Sequence, residues 1–289
     1  MASLQANGIT IEYEEQGSGE PLLLIMGLGG QLIDWPQDFV DKLAAKGFRV
    51  IRFDNRDAGL STEFTGKPPT TRQMAFAALT GRTPTAAYRL SDMATDAAAL
   101  LDALNIEQAH VVGISMGGMI AQALTIDHPA KVRSLTSIMS MTGDRRHGKP
   151  KASLLVKGAR LPEKTAATAH QVGVEMWRLI SGPSFDPAEA ARITDAAIAR
   201  SFRPAGNGRQ TAAILASPDR TAALQQVTVP TLVVHGMVDP LVQHSGGIAT
   251  AKAVPNSRLL LFNDMGHDMP THRRQEIVDA IAANAARAK

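Results

Sequence analysis

The 289-residue sequence predicts an α/β fold, with a mostly parallel central sheet flanked by helices and interrupted by a helical insertion. Three observations carry this expectation. Short apolar runs alternate with helix-patterned stretches, the rhythm of βαβ units. One run, Ala109-His110-Val111-Val112, leads into the sharp Gly-flanked turn Gly113-Ile114-Ser115-Met116-Gly117 and then a helix-like stretch from Met119 to His128. The alternation lapses between about 143 and 226, where the chain is Ala-rich and helix-prone, and resumes at Thr231-Leu232-Val233-Val234.

Taken in order, Asn7-Gly8 is a hairpin signal, followed by the alternating Ile9-Thr10-Ile11-Glu12-Tyr13. Gly17-Ser18-Gly19 breaks the chain, and Pro21 to Met26 reads as a strand buried on both faces. Pro36 to Lys46 has helical spacing, with Phe39, Val40 and Leu43 apolar, and Gly47 ends it. Phe48 to Phe53 is the next strand. Ser91 to Leu104 reads as a helix with Asp92 near its positive end. After the turn at Ser115 and its helix comes a strand at Val132 to Met139. Beyond the insertion, strands at Thr231–Val234 and Arg258–Phe262 and a helix over about Thr271–Ala286 complete the pattern. The segment Thr62–Arg89 is long for a loop and is expected at an entrance.

Composition narrows the function classes. Apolar residues make up 44% and charged residues 20%, as in an ordinary globular chain. There is no cysteine, which excludes a disulfide scaffold, a Cys nucleophile and thiolate metal sites. Net charge is only +3, but 143–226 carries 13 Lys/Arg against 7 Asp/Glu while the remainder carries 17 against 20. Aromatic residues are too sparse for a base-stacking surface, so no nucleic-acid partner is expected. No secretory leader is visible at Met1–Ile11 and no run is long enough to span a bilayer. A cytoplasmic location is the expectation.

The chemistry centres on Ser115. Gly-x-Ser-x-Gly between a strand and a helix is the nucleophile elbow, which raises one hydroxyl above the end of a sheet. A serine hydroxyl is a weak nucleophile until a base takes its proton. His267 follows the last strand and Asp239 follows the preceding one, and loops after parallel strands gather at one end of a sheet. The order Ser115, Asp239, His267 therefore gives a nucleophile, a base and an orienting acid. Among the other histidines, His235 reads as a packing residue and His244 and His272 as surface residues. His110 lies inside a strand and His128 at a helix end. Asp264 and Asp268 read as caps or turn residues. A developing oxyanion needs backbone N–H donors. Met116 supplies one, and the glycine-rich Met26-Gly27-Leu28-Gly29-Gly30 supplies the other at Leu28, with Gly29 as the alternative.

These residues make the chain resemble the α/β-hydrolase superfamily, and within it bacterial esterases and lipases of the aclacinomycin-methylesterase type. The matching pieces are Ile25–Gly29, Arg52–Ser61, Gly113–Gly118, Thr231–Asp239 and Gly266-His267. The resemblance implies an α/β-hydrolase fold with a core of 1–142 and 227–289 and a helical cap, 143–226, inserted after the sixth strand. It also implies that Asp54, Arg56 and Ser61 form a structural turn beneath the site. Many relatives carry His-Gly before the oxyanion loop where this chain has Met26-Gly27, which leaves the donor in place and makes the loop less polar.

The expected activity is hydrolysis of small, largely apolar carboxylic esters through an acyl-enzyme, with no metal or organic cofactor. Met26, Met116, Met139 and Met141 fall near the elbow, where methionine suits a permissive apolar site or plain core. Trp177, Phe185 and Phe202 are candidates for the roof or for packing within the insertion. The run Arg145–Lys151 reads as a solvated hinge, with attraction of anionic groups as its functional alternative. Rival readings are other chemistry on the same fold (carbon–carbon hydrolysis, perhydrolysis or lyase activity), a non-catalytic ligand receptor, and a peripheral lipase. The sequence leaves oligomeric state open.

Overall fold

The run Leu22-Leu23-Leu24-Ile25 has no accessible surface, the mark of a strand covered on both faces. In the computed structural model, which describes every residue except 71, 74, 75, 77–79, 81–84 and 289, this run lies within β3 (Glu20–Ile25). The other strands are β1 (Ala2–Ala6), β2 (Ile9–Gln16), β4 (Phe48–Phe53), β5 (Ala109–Ile114), β6 (Val132–Ile138), β7 (Thr231–Gly236) and β8 (Arg258–Phe262). Among the described residues they form one eight-stranded sheet in the order β1-β2-β4-β3-β5-β6-β7-β8. The pairs β1/β2 and β2/β4 are antiparallel, and all the others are parallel.

Period-two alternation splits each strand between two cores. Leu23 and Ile25 of β3 point to one face with Ile51, Phe53 and Val111, where α2 (Leu90–Ala103) and α3 (Met116–Asp127) cover them. Leu22 and Leu24 point to the other with Val50, Val112 and Val234, beneath α1 (Gln37–Ala45) and α10 (Thr271–Ala285). Helices on both faces and a parallel centre leave the carboxyl ends of β3, β5, β7 and β8 on one rim, and the loops after them carry the candidate residues.

The insertion follows β6, as expected. It contains α4 (Ala152–Gly158), α5 (Ala169–Ile180), α6 (Pro187–Arg200), α7 (Pro204–Ala216) and the short α8 (Thr221–Leu224). Asp186 caps α6 by accepting from the Ala188 and Glu189 amides, and Pro187 occupies its first turn. A further helix, α9 (Ser245–Ala253), lies between β7 and β8. Ten residues of the segment 62–89, expected at an entrance, lie outside the described residues. The helix after Ser115 starts at Met116, three residues earlier than its sequence pattern suggests. Gly117 and Gly118 hide the helical periodicity, yet both are buried in its first turn.

Candidate active site

Ser115 sits between β5 and α3 with φ 56° and ψ −120°, a conformation that costs a non-glycine residue about 1–3 kcal/mol. Packing and hydrogen bonds hold it there. Its amide donates to the Ile138 carbonyl at 2.9 Å, and its carbonyl accepts from Gly118 and Met119. A Cβ at Gly113 would overlap the Gly117 carbonyl, and one at Gly117 would overlap the Ile25 carbonyl. Both elbow positions therefore have to be glycine. The close approach of Gly117 to Ile25 also brings the end of β3 against the start of α3.

His267 lies in the loop after β8, 7% exposed. Its Nε2 is 2.9 Å from Ser115 Oγ and its Nδ1 is 2.7 Å from Asp239 Oδ2. With Nδ1–H donating to the carboxylate, Nε2 accepts the serine O–H. The His267 amide donates to the Ile180 carbonyl at 2.7 Å. Asp268 Oδ1 accepts from Gly182 and Gly266, so the end of α5 clamps the histidine loop. Asp264 is also structural: it accepts from His272 and Arg273, whose hydrogen bonds, Arg273 first, hold its carboxyl down at about 2.

Asp239 is fully buried. Burial alone would raise its carboxyl, but the His267 charge and hydrogen bonds from His235 and His267 outweigh it and hold the group at about 2. Its Oδ1 accepts from the Leu241 and Val242 amides at 2.8 and 2.9 Å. Those bonds aim the second oxygen at His267. His235 is buried and donates from Nε2 to the Val242 carbonyl at 2.7 Å, with the same nitrogen 3.5 Å from Asp239 Oδ2.

The loop after β3 closes as a turn. Gly30 N–H donates to the Gly27 carbonyl at 3.2 Å, and Gly29 has φ 67°, the left-handed third position of a type II turn. A Cβ at Gly27 would lie 3.2 Å from both Ile114 O and Ser115 Cβ, so the loop runs beside the elbow. The Gly29 amide donates to Gln210 Oε1 of α7 at 2.8 Å. That bond commits the alternative donor and leaves Leu28 as the loop's candidate. Gln210, fully buried, was not legible beforehand, because nothing in the sequence separates it from Asn207, Arg209 and Thr211 on the same helix.

The other singled-out residues lie elsewhere. Asp54 accepts from the Leu32 and Leu60 amides at 2.7 and 2.8 Å and pairs with Arg200 at 2.7 Å. Arg56 pairs with Asp96 at 2.6 Å, and Ser61 Oγ donates to the Asp54 carbonyl. This is the internally satisfied turn the resemblance implies. His110 bridges Ser134 and Glu20 at the opposite end of β5. Met26, Met116 and Met139 are buried, whereas Trp177, Phe185 and Phe202 are half-buried in or beside the insertion helices. Arg178 stacks over the Phe185 ring at 4.9 Å. Among the described residues no group of three or more His, Asp or Glu is arranged to hold a metal ion, and no helix is long and apolar enough to cross a membrane.

A strand–elbow–helix carrying a serine, with histidine and aspartate on later strand ends, defines an α/β-hydrolase site. Residues 20–270 match the model of the alpha/beta hydrolase fold, and the chain belongs to that family. It is 30% identical to rhodomycin D methylesterase DauP of Streptomyces sp. (strain C5), over 91% of this chain and 90% of that protein. It is 29% identical to the putative non-heme bromoperoxidase BpoC of Mycobacterium tuberculosis (strain ATCC 25618 / H37Rv), over 90% and 91%. Among solved structures, an esterase from Exiguobacterium antarcticum superposes with a TM-score of 0.76 at 20% identity, covering 98% of each chain. That likeness bears on the fold.

Proposed function

We propose that the protein is a serine hydrolase that cleaves carboxylic esters of small, largely apolar substrates. One observation carries this reading: an unbroken hydrogen-bonded chain from Asp239 through His267 to Ser115, with distances of 2.7 and 2.9 Å. His267 takes the serine proton as Oγ attacks the ester carbonyl, and the carbonyl oxygen becomes an oxyanion between the Leu28 and Met116 amides. The positive end of α3 adds to that field. The tetrahedral adduct collapses, the carbon–oxygen bond to the alcohol breaks, and the imidazolium returns its proton to the departing alkoxide. Water, deprotonated by the same histidine, then attacks the acyl-enzyme and releases the acid. Asp239 keeps the imidazole in the required tautomer and stabilises its charged form. The methylesterase relative supports an ester as the substrate class.

Ser115→Ala should abolish turnover of p-nitrophenyl acyl esters and remove the covalent adduct that a fluorophosphonate leaves on the intact protein. A folded variant retaining full ester turnover would sink the scheme. The bromoperoxidase name of one relative motivates a second assay with hydrogen peroxide and acetate. The ester reading expects ester turnover to dominate peracid formation.

A further inference from the structure

Helix α7 of the insertion reaches into the loop proposed to bind the oxyanion. Gln210 is fully buried and uses both ends of its amide. Its Oε1 accepts the Gly29 N–H at 2.8 Å, and its Nε2 donates to the Arg56 carbonyl at 2.8 Å. One side chain thus ties together the loop after β3, the loop after β4 and an insertion helix far along the chain. One turn earlier on α7, Asn207 packs against the same loop, since its side-chain amide occupies the space a Cβ on Gly29 would need.

The geometry of the turn gives this contact a consequence. In Gly27-Leu28-Gly29-Gly30 the ring-closing bond uses Gly30 N–H and Gly27 C=O. The N–H of the second residue, Leu28, takes no part in closing the turn. Peptide units are rigid planes joined by two soft dihedrals at each Cα. The Leu28–Gly29 plane, anchored by Gln210, and the Gly27–Leu28 plane, which carries the Leu28 N–H, share the Leu28 Cα. The turn bond holds the second plane through the Gly27 carbonyl, so with Gln210 holding the first, the dihedrals at Leu28 between them are bounded from both sides. Leu28 needs such a brace because the residue is 44% exposed and so is not fixed by burial.

We infer that Gln210 is a positioning residue for ester hydrolysis, holding the Leu28 N–H in the direction that meets the oxyanion. This rests on the serine-hydrolase reading above. The side chain touches neither substrate nor Ser115, so its removal should weaken stabilisation of the transition state and leave substrate binding nearly intact.

The test compares Gln210→Met, Gln210→Asn and Gln210→Glu by p-nitrophenyl acetate kinetics and by inhibition with a trifluoromethyl ketone, whose hemiketal adduct with Ser115 presents an oxyanion. Met keeps the volume and loses both hydrogen bonds. Asn keeps the amide but is one carbon short of Gly29, and it serves if the Met variant does not fold. Glu keeps an oxygen acceptor for the Gly29 N–H. The Met and Asn variants should lose about 10- to 100-fold in kcat with KM changed less than about threefold, and inhibitor affinity should fall in parallel; that size is a fraction of the about 10²–10³-fold lost when a donor itself is removed. Gln210→Glu should recover most of the kcat. Folded Met or Asn variants with unchanged kcat and inhibitor affinity would overturn the inference, as would equal losses in all three variants. Ser115→Ala is run alongside. If it abolishes turnover while the Met and Asn variants keep the parent kcat and inhibitor affinity, the positioning role fails and the hydrolase reading stands. If it retains turnover, both fail.

Discussion

At the scale of single residues, the site depends on space as much as on polar groups. Gly113 has no room for a methyl group because the Gly117 carbonyl fills it, and both atoms are backbone, so neither can move without bending β5 or α3. Gly113→Ala should therefore cost about 1–3 kcal/mol as overpacking, read by urea denaturation, and should lower fluorophosphonate reactivity in the fraction that stays folded. A conserved midpoint with full reactivity would show that the elbow relaxes more easily than its packing implies. Asp34 makes a different residue-scale prediction. Its Oδ2 accepts the Gln31 amide at 2.9 Å while Oδ1 is buried with no partner. Burial pushes the carboxyl up to about 6, against the Gln31 hydrogen bond and the charges of Arg200 and Lys164. An acid raised on folding binds its proton more tightly in the native state. Its cost to stability is therefore absent below the unfolded value of about 4, grows between there and about 6, and is fully present above. Asp34→Asn should raise Tm relative to the parent at pH 7.5, and the gain should shrink at pH 4.5. A constant difference across that range would place the strain elsewhere.

At the scale of elements, α7 ties the insertion to the loop after β4. Arg209 forks onto Asp57, with Nε and Nη2 at 2.8 and 2.7 Å, and both side chains are buried. Tyr88 O–H donates to the same carboxylate at 2.5 Å, and burial, then the Asp57 hydrogen bond, push its phenol upward. Removing one member of such a pair leaves a buried charge without its partner, a loss of about 3–5 kcal/mol. Arg209→Met should show that loss in urea, and adding Asp57→Asn to it should recover part, because the double variant holds no unpaired charge. Additive losses would argue that packing, not charge, matters here. Elements also explain what the sequence made legible. Ser115, Asp239 and His267 each follow an apolar strand and a glycine, and punctuation of that kind survives in one dimension. The Gly29–Gln210 and Asp57–Arg209 contacts join positions more than 150 residues apart, and nothing local in an Ala-rich helix marks which polar side chain turns inward. The start of α3 was masked for a related reason: glycines chosen for close approach carry no helical signal.

At the scale of the whole molecule, the question is whether the insertion unfolds with the sheet or ahead of it. Its attachments are spread over most of its length. Ala213 of α7 belongs to the core beneath α2 and α3. Arg200, at the end of α6, pairs with Asp54, and Glu189 pairs with Arg274 of α10 at 2.8 Å. Gln31 reaches the Ala197 and Ser201 carbonyls from the loop after β3. The carboxyl end of α5 holds the His267 loop through Ile180 and Gly182. Several of these bonds join the insertion to segments that carry or flank the proposed catalytic groups. Local opening free energies follow such buried contacts, and a segment held at many points opens with the body that holds it. Chains of this size often unfold through intermediates, so coincidence of two probes is an informative outcome rather than a default. Helical ellipticity and fluorophosphonate labelling of Ser115, followed against urea, should fall over one concentration range with one midpoint. Loss of labelling well before loss of ellipticity would mean that the insertion detaches first and takes the loop after β3 and His267 out of register, leaving the sheet folded but inert.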